Sequence, residues 1–256
     1  MSTNNNNPYE YYESIPYKET GPRPGEGLYS LNDYINPASI TTFILILLVL
    51  NVLLDALGVY ADLQQAFVIQ NIQAGAYETE EAQQAAAEAV DTMAELVALP
   101  QTIATFALGI VFLVWTYRVC KNAHCLSLNR LANTPGWAVG WYFVPIANLW
   151  KPYYALSEAY IESHNSNYSH PRAGEAPLLL LWWGVHIITV IVGQISFRLN
   201  MSLNDHSTID QLLTAKWAII GTEGLSIPLN ILTLIIVLHF AKFQREGFER
   251  RSNDYR

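Results

Sequence analysis

ITTFILILLVLNVLLDALGVY, residues 40–60, decides the fold, because its 21 residues include only one formal charge, Asp55. A helix needs about 20 apolar residues to cross about 30 Å of hydrocarbon, and backbone groups in lipid must pair within their own segment. Three further stretches have a similar length and composition, namely residues 96–117, 176–197 and 217–241. The sequence therefore predicts an all-α integral membrane protein with four transmembrane helices.

The overall composition also indicates a membrane protein. Of the 256 residues, 51% are hydrophobic and 14% are charged, whereas average globular domains carry about 25% charged residues. The formal net charge of -8 argues against nucleic acid as a partner. The expected partner is the lipid bilayer of the cell membrane, together with either a second copy of the chain or another membrane protein.

The composition changes along the chain and divides it into three parts. Residues 1–37 are rich in Asn, Pro and Tyr, have no apolar core and no signal-peptide pattern, and are typical of a disordered tail. Residues 38–243 form the predicted four-span membrane domain. Residues 244–256 are predicted to be a basic cytoplasmic tail.

Residues 131–150, LANTPGWAVGWYFVPIANLW, are uncharged and compete as a fifth span, but prolines and glycines interrupt them. Cytoplasmic loops carry an excess of Lys and Arg. Four spans with a cytoplasmic N-terminus place 12 of these cations inside and only Arg198 and Lys216 outside, whereas five spans give 7 on each side. The charge pattern favours four spans, with both termini cytoplasmic.

The connection between the first two spans has seven acids and no Lys or Arg between residues 61 and 95. Apolar residues recur in it at helical spacing, which predicts a helical seam. The seam residues are Ala82, Ala86, Ala89, Met93 and Leu96. With a turn at Gly75, the first two spans are predicted to extend beyond the membrane as an extracytoplasmic helical hairpin.

Two motifs are the most distinctive part of the chain, W-T-Y-R-V-C-K-N at residues 115–122 and P-G-W-A-V-G-W-Y-F-V-P-I-A-N-L-W-K-P-Y at residues 135–153. The pair resembles the bacterial membrane family of domain of unknown function 4328, except that Tyr142 stands where a second Trp is usual. The resemblance implies a small multi-span bundle and no activity, because the family has none assigned. The matching residues are Trp115, Arg118, Asn122, Pro135, Gly136, Trp137, Gly140, Trp141, Pro145, Asn148, Trp150 and Pro152.

The second motif also has a physical interpretation of its own. Its Trp and Tyr rings carry one polar edge and favour the headgroup level of a bilayer, while its prolines divide it into short pieces. Residues 131–162 are therefore predicted to be an interfacial or re-entrant segment that ends in an amphipathic helix near residues 153–162. The segment is either a conduit or ligand-binding floor, or an architectural wedge between helices.

Acids inside a membrane are rare and often functional. Helix rise places Asp55 about 22 Å along span one and Glu223 about 9 Å along span four. Because the two spans run in opposite directions, both acids are expected at a similar depth in the membrane. The candidate polar cluster consists of Asn51, Asp55, His186, Arg198, Glu223 and Asn230. It is either a pocket that binds a cation or relays protons, or a wetted acid pair that Arg198 neutralises.

No catalytic, nucleotide-binding or cofactor motif stands out. Cys120, His124 and Cys125 are too few for a structural zinc site without a fourth ligand, so we expect neither a metal nor a cofactor. The sequence favours a non-enzymatic structural or regulatory bundle. The alternative is a transporter or channel for a small ion, proton or solute that uses Asp55 and Glu223, and a membrane-embedded enzyme ranks third.

Overall fold

Four long helices and two short ones form most of the protein that the structure describes. The computed structural model describes residues 29–127, 131–164, 177–204 and 206–254. Within these ranges the regular structure is helical, with no strand. The helices are α1 (Ala38–Gln73), α2 (Glu80–Leu126), α3 (Pro135–Gly140), α4 (Lys151–His164), α5 (Pro177–Met201) and α6 (Ile209–Asp254).

The four long helices, α1, α2, α5 and α6, are each long and apolar enough to cross a membrane. They contain the predicted spans apart from residue 176, which lies outside the described residues, so the prediction of four long apolar helices is confirmed. α1 has 36 residues and α2 has 47. At about 1.5 Å per residue, these helices are roughly 54 and 70 Å long, well beyond a hydrocarbon thickness of about 30 Å.

α1 and α2 form the helical hairpin that the sequence predicts. Gly75, with a φ of 67°, lies in the turn between them. Thr79 caps the start of α2 by accepting a hydrogen bond from the backbone N–H of Ala82. We call the end of the bundle that holds this turn the hairpin end, and the opposite end, where α1 begins and α6 finishes, the terminal end.

The face of α2 that turns toward the bundle differs from the predicted seam. Leu96 of that seam is 73% exposed, and Ala82 and Ala89 are exposed as well. Ala86 and Met93 of the seam are partly buried, and so are Ala87, Val90, Ala94 and Val97. Small or apolar residues occur on several sides of this helix, so spacing alone does not identify the side against which α1 packs.

α6 is the helix against which both α1 and α5 pack. α1 packs along both α2 and α6, while α5 packs mainly against α6. Toward the terminal end, aromatic and aliphatic side chains fill the centre, and Trp115 and Phe240 there are fully buried with ring centroids 5.2 Å apart. The first and third spans consequently both pack against the fourth.

The segment between α2 and α5 is built from short pieces. α3 has 6 residues, and two 3-10 helices, Trp141–Phe143 and Ala147–Leu149, have 3 each. α4 follows with 14 residues and covers the predicted amphipathic helix. None of these helices is long enough to cross a bilayer.

Ile146 reverses the chain between the two 3-10 helices. Its φ of 68° and ψ of -53° are rare for a β-branched residue. The N–H of Ala147 donates to the carbonyl oxygen of Pro145 at 2.8 Å, which closes a γ-turn. The turn directs the chain into α4.

Both predicted tails differ from the structure near their boundaries. Residues 29–37 pack on the bundle, where Tyr34 stacks on Phe248 at 4.3 Å; the rest of the predicted N-terminal tail, residues 1–28, lies outside the described residues. At the other end α6 continues to Asp254, and Gln244 is fully buried. The apolar pattern ends near these boundaries, but polar contacts extend the bundle past them.

Candidate functional site

The strongest candidate site lies where α1, α2 and α6 meet, near the middle of α1. Six polar side chains from these three helices converge there, and we call them the central polar cluster. They are Asn51 and Asp55 from α1, Gln101 and Thr105 from α2, and Glu223 and Asn230 from α6.

Gln101 joins the two acids of the cluster. Its Nε2 donates to Asp55 Oδ1 at 3.1 Å and to Glu223 Oε1 at 3.2 Å. Both carboxylates thus share one amide group, and Asp55 and Glu223 lie close together. The matched depths followed from helix rise and alternating helix direction.

Asp55 and Asn51, the two α1 residues of the cluster, have further hydrogen-bond partners. Asp55 is 4% exposed, and its Oδ2 accepts a hydrogen bond from Asn230 Nδ2 at 2.9 Å. One turn earlier, Asn51 is 1% exposed, accepts from Thr105 Oγ1 at 3.0 Å and donates to the Leu47 carbonyl at 2.9 Å. Both carboxylate oxygens of Asp55 therefore have a donor.

Only one of the two carboxylate oxygens of Glu223 has a hydrogen-bond partner among the described residues. Its Oε2 is buried and has no hydrogen-bond partner among the described residues. Gly58 leaves room for this carboxylate, because a Cβ at that position would lie 2.7 Å from Oε2 and 2.8 Å from Oε1. The glycine thus allows α1 to approach the acid closely.

A second polar group continues from the cluster toward the hairpin end. Lys216 Nζ forms a salt bridge with Asp62 Oδ1 at 2.9 Å and donates to Gln65 Oε1 at 2.6 Å. Gln65 Nε2 in turn donates to Asp91 Oδ1 at 2.7 Å. We call these four residues the outer polar chain; it ties α1 to α2 and α6 as the cluster does.

A cavity of about 340 Å³ opens beside the outer polar chain, and Gln65, Asp91 and Lys216 line it together with mostly apolar residues. Ile219, one helical turn from Glu223, is the lining residue of α6 nearest to the cluster in sequence. Asp55 and Glu223 do not line it. The cavity thus ends short of the central acids.

Four of the six residues predicted as a polar cluster come together, namely Asn51, Asp55, Glu223 and Asn230. The other two do not join them. His186 packs against the rings of Trp182 and Trp183, with centroids 6.1 and 4.9 Å away. Arg198 is exposed and forms no ion pair with a described residue, so it does not neutralise Glu223.

Sequence reasoning missed the contributions of Gln101, Thr105, Asp62 and Lys216. Two signals point to them in retrospect. Asp62 lies seven residues after Asp55 and therefore falls on the same side of α1. Gln101 is a polar residue inside an apolar span, directly after Pro100. As a neutral amide, it does not stand out when the residues of a span are judged by formal charge.

The first family motif builds a separate network at the terminal end, centred on Asn122 of α2. Its Oδ1 accepts from the Ile35 N–H at 3.0 Å, and its Nδ2 donates to the Ile35 carbonyl at 2.8 Å and to Gln244 Oε1 at 3.0 Å. Gln244 Nε2 then donates to the Val119 carbonyl at 2.7 Å and to Ser163 Oγ at 3.2 Å. We call this the Asn122 network; it joins residues before α1 to α2, α4 and α6.

The second motif is tied to its surroundings by fewer polar contacts. Trp141 Nε1 donates to Asn133 Oδ1 at 3.1 Å, and Trp183 of α5 donates to the Leu149 carbonyl at 2.7 Å. Pro135, at the first position of α3, and Pro152 are buried. Asn148 and Trp150 are exposed, as is Trp137. The motif thus packs on the bundle with Pro135 and Pro152, while Pro145 and several polar and aromatic side chains are exposed.

Among the residues that the structure describes, no site for metal binding or thiol chemistry is assembled. No group of three or more His, Cys, Asp or Glu side chains there is arranged to hold a metal ion. Cys120 and Cys125 are both buried and free. His124 Nε2 is hydrogen bonded to the Asn133 carbonyl at 2.8 Å, so it takes part in local packing.

Comparison with known proteins identifies the family. The family model described as "Domain of unknown function (DUF4328)" matches residues 78–242, which is more than half of the chain. No curated protein and no solved structure matches. The matched range includes α2 to α5 and most of α6 but excludes α1, which supplies Asn51 and Asp55 to the central polar cluster.

Proposed function

Because the chain belongs to the DUF4328 family, which carries no assigned activity, we propose its role from its own geometry: a non-enzymatic membrane bundle with a structural or regulatory function. The observation that carries the proposal is the shared amide of Gln101, which holds Asp55 and Glu223 at 3.1 and 3.2 Å. Hydrogen bonds between helices substitute in a membrane for the hydrophobic driving force that lipid removes. The central polar cluster thus fixes the register of α1, α2 and α6.

The packing around the acids supports a filled bundle rather than an open pathway. The 340 Å³ cavity beside Lys216 stops short of Asp55 and Glu223. Towards the terminal end, the fully buried side chains of Trp115, Phe240 and Leu156 fill the centre. A conducting path for ions would need water or polar groups through this apolar part of the bundle as well.

We further propose that both termini are cytoplasmic and the hairpin end extracytoplasmic. The Lys and Arg distribution of 12 against 2 supports this orientation. Residues 131–162 then lie at the cytoplasmic interface, where the exposed rings of Trp137 (54%) and Phe143 (70%) meet headgroups or lipid. Single cysteines at positions 77 and 253, in a chain without Cys120 and Cys125, test the orientation by labelling from outside, which should reach only position 77.

A partner is part of the proposal, either a second copy of the chain or another membrane protein. α1 continues beyond the length needed to span the membrane, and Leu63 (41%) and Phe67 (59%) are exposed on this extension. Apolar side chains in that position are outside the hydrocarbon under the proposed orientation. Their exposure supports a protein–protein contact through the hairpin.

A specific observation favours a second candidate, a proton or small-cation transporter. Glu223 Oε2 is buried without a partner, and Gly58 holds α1 close to it. A buried acceptor of this kind can take a proton or a cation. Transport needs a path for the proton or cation from Lys216 to Glu223. This path would run along the polar side of α1.

Proteoliposomes separate the two candidates. Under the main proposal, the wild-type chain gives no proton or Na⁺ flux above empty liposomes, and native mass spectrometry detects either a defined oligomer or a retained protein partner. Flux that disappears in Glu223→Gln but persists in Glu88→Gln, at an exposed acid on α2, would establish transport and overturn the main proposal.

A further inference from the structure

We propose that the groove between α1 and α2 at the terminal end binds one anionic phospholipid. The groove is a cavity of about 300 Å³, lined by Ser39, Ile40, Phe43, Val111, Val114 and Arg118. The Arg118 guanidinium and the Ser39 hydroxyl contact the lipid phosphate, and the apolar residues contact one acyl chain.

Charge is the first argument for this ligand. Arg118 is partly exposed and forms no salt bridge or hydrogen bond with the residues that the structure describes. Its neighbours on α2 are engaged, since Lys121 lies 5.5 Å from the centroid of the Tyr29 ring and Asn122 bonds to Ile35. A guanidinium offers paired N–H donors that match the oxygens of a phosphate. The groove therefore presents a positive charge that has no counter-charge among the described residues.

The order of polar and apolar residues along the groove is the second argument. Because α1 and α2 are antiparallel, Ser39 and Arg118 lie at its terminal end. Phe43 lies one turn deeper, about 6 Å along α1, and Val111 lies about 10 Å deeper than Arg118 along α2. A phospholipid in the adjacent leaflet has the same order, with its phosphate at the boundary and its acyl chain inward.

The side of the groove that opens outward is the third argument. Phe43 is 53% exposed and Val114 is 45% exposed. Both belong to helices that are apolar enough to span a membrane, so this opening faces the hydrocarbon. A lipid acyl chain is present there at high concentration, whereas a soluble anion such as inorganic phosphate has no group to place against these side chains.

Lipid binding by the purified full chain in detergent tests the proposal. Native mass spectrometry should detect bound phosphatidylglycerol at concentrations where phosphatidylcholine is not retained, and inorganic phosphate should not displace it. Arg118→Gln should weaken phosphatidylglycerol binding about tenfold or more, since it removes the charge-assisted hydrogen bonds to the phosphate. Arg198→Gln is the matched control. Arg198 also forms no ion pair with a described residue, and it lies at the opposite end of the protein.

A second variant keeps the test decisive if Arg118→Gln does not fold. Val111→Trp fills the apolar part of the groove and leaves Arg118 in place, so it should also reduce retention of phosphatidylglycerol. Equal retention of phosphatidylglycerol and phosphatidylcholine by the wild-type chain would overturn the proposal. Wild-type retention by a folded Arg118→Gln chain, or by Val111→Trp, would overturn it as well.

Discussion

The Asn122 network and the central polar cluster both join several helices through buried polar side chains, but they differ in the groups that they use. The Asn122 network rests on two neutral amides, Asn122 and Gln244, both 0% exposed, whose donors and acceptors are paired with each other or with backbone and hydroxyl groups. The central polar cluster contains two carboxylates, and Glu223 Oε2 has no partner among the described residues.

This difference follows from the chemistry of the two side chains. An amide carries both donors and acceptors, so amides can satisfy one another without solvent. A carboxylate is an acceptor only and needs donors from elsewhere. Gln101 and Asn230 supply three of the four carboxylate oxygens with donors. The Asn122 network is therefore complete as a structural joint, while the central polar cluster keeps one acceptor for a proton, a cation or a water molecule.

The largest effect is expected when the complete network is broken. Asn122→Ala leaves the Ile35 N–H and carbonyl and one group of Gln244 without their partner, and each unsatisfied buried group costs about 1–3 kcal/mol. We expect the free energy of unfolding to fall by about 3 kcal/mol, measured by thermal or denaturant unfolding in detergent. Asn148→Ala, at an exposed asparagine, is the matched control, and an equal loss in both variants would contradict the role of the network.

A smaller effect is expected from closing the space beside Glu223. The Cβ of Gly58→Ala would lie 2.7 Å from Glu223 Oε2, so the carboxylate has to move and its hydrogen bond from Gln101 is disturbed. We expect a loss of about 1 kcal/mol, the typical contribution of one such bond. Gly109→Ala, where a Cβ meets nothing within 4 Å, should cause no loss.

A double variant sharpens the same experiment. Glu223→Ala removes the group that the new Cβ would meet, so Gly58→Ala should cause little further loss in that background. If Gly58→Ala destabilises both backgrounds equally, α1 does not pack against Glu223 in the way described.

The smallest effect is expected for the bridge of the central polar cluster itself. Hydrogen bonds between membrane helices contribute about 0.6 kcal/mol on average in double-mutant cycles. Gln101→Ala combined with Asp55→Ala should therefore give a coupling free energy of about 0.6 kcal/mol in detergent melts. Gln84→Ala combined with Asp55→Ala is the control cycle, because Gln84 is exposed and bonds to Glu88 instead. Additive losses for Gln101 and Asp55 would show that the shared amide does not couple the helices.

Part of the candidate site was predictable because it depends on single helices. Asn51 and Asp55 share a side of α1 through their spacing of four residues, and helix rise gives the depths of Asp55 and Glu223. Span three carries His186 near its midplane and Arg198 at its outer end, but position along one helix does not show which helices are neighbours. α5 packs mainly against α6, which keeps both residues away from Asp55.

The same distinction applies to the surface of the hairpin. Gly75 and the extended helical pattern predicted its two helices, since backbone hydrogen bonds within each helix are local. The predicted seam is only partly right, since Ala86 and Met93 are partly buried while Ala82 and Leu96 are exposed. The position of α1, tied to α2 by the bond from Gln65 to Asp91, determines which side of α2 is covered. Alanine is compatible with either side and gives a weak signal.

The sequence by itself determined the four long apolar helices, the interruption of residues 131–150 and the common depth of Asp55 and Glu223. These properties depend on hydrocarbon thickness, on proline's missing N–H and on a fixed rise per residue, all of which act within one segment. Only the tertiary structure decided that Gln101 joins the two acids, that Gly58 makes room for Glu223 and that Arg118 lines a groove without a described partner. Each of these depends on which sides of two or three distant helices meet, and no local pattern along the chain specifies that choice.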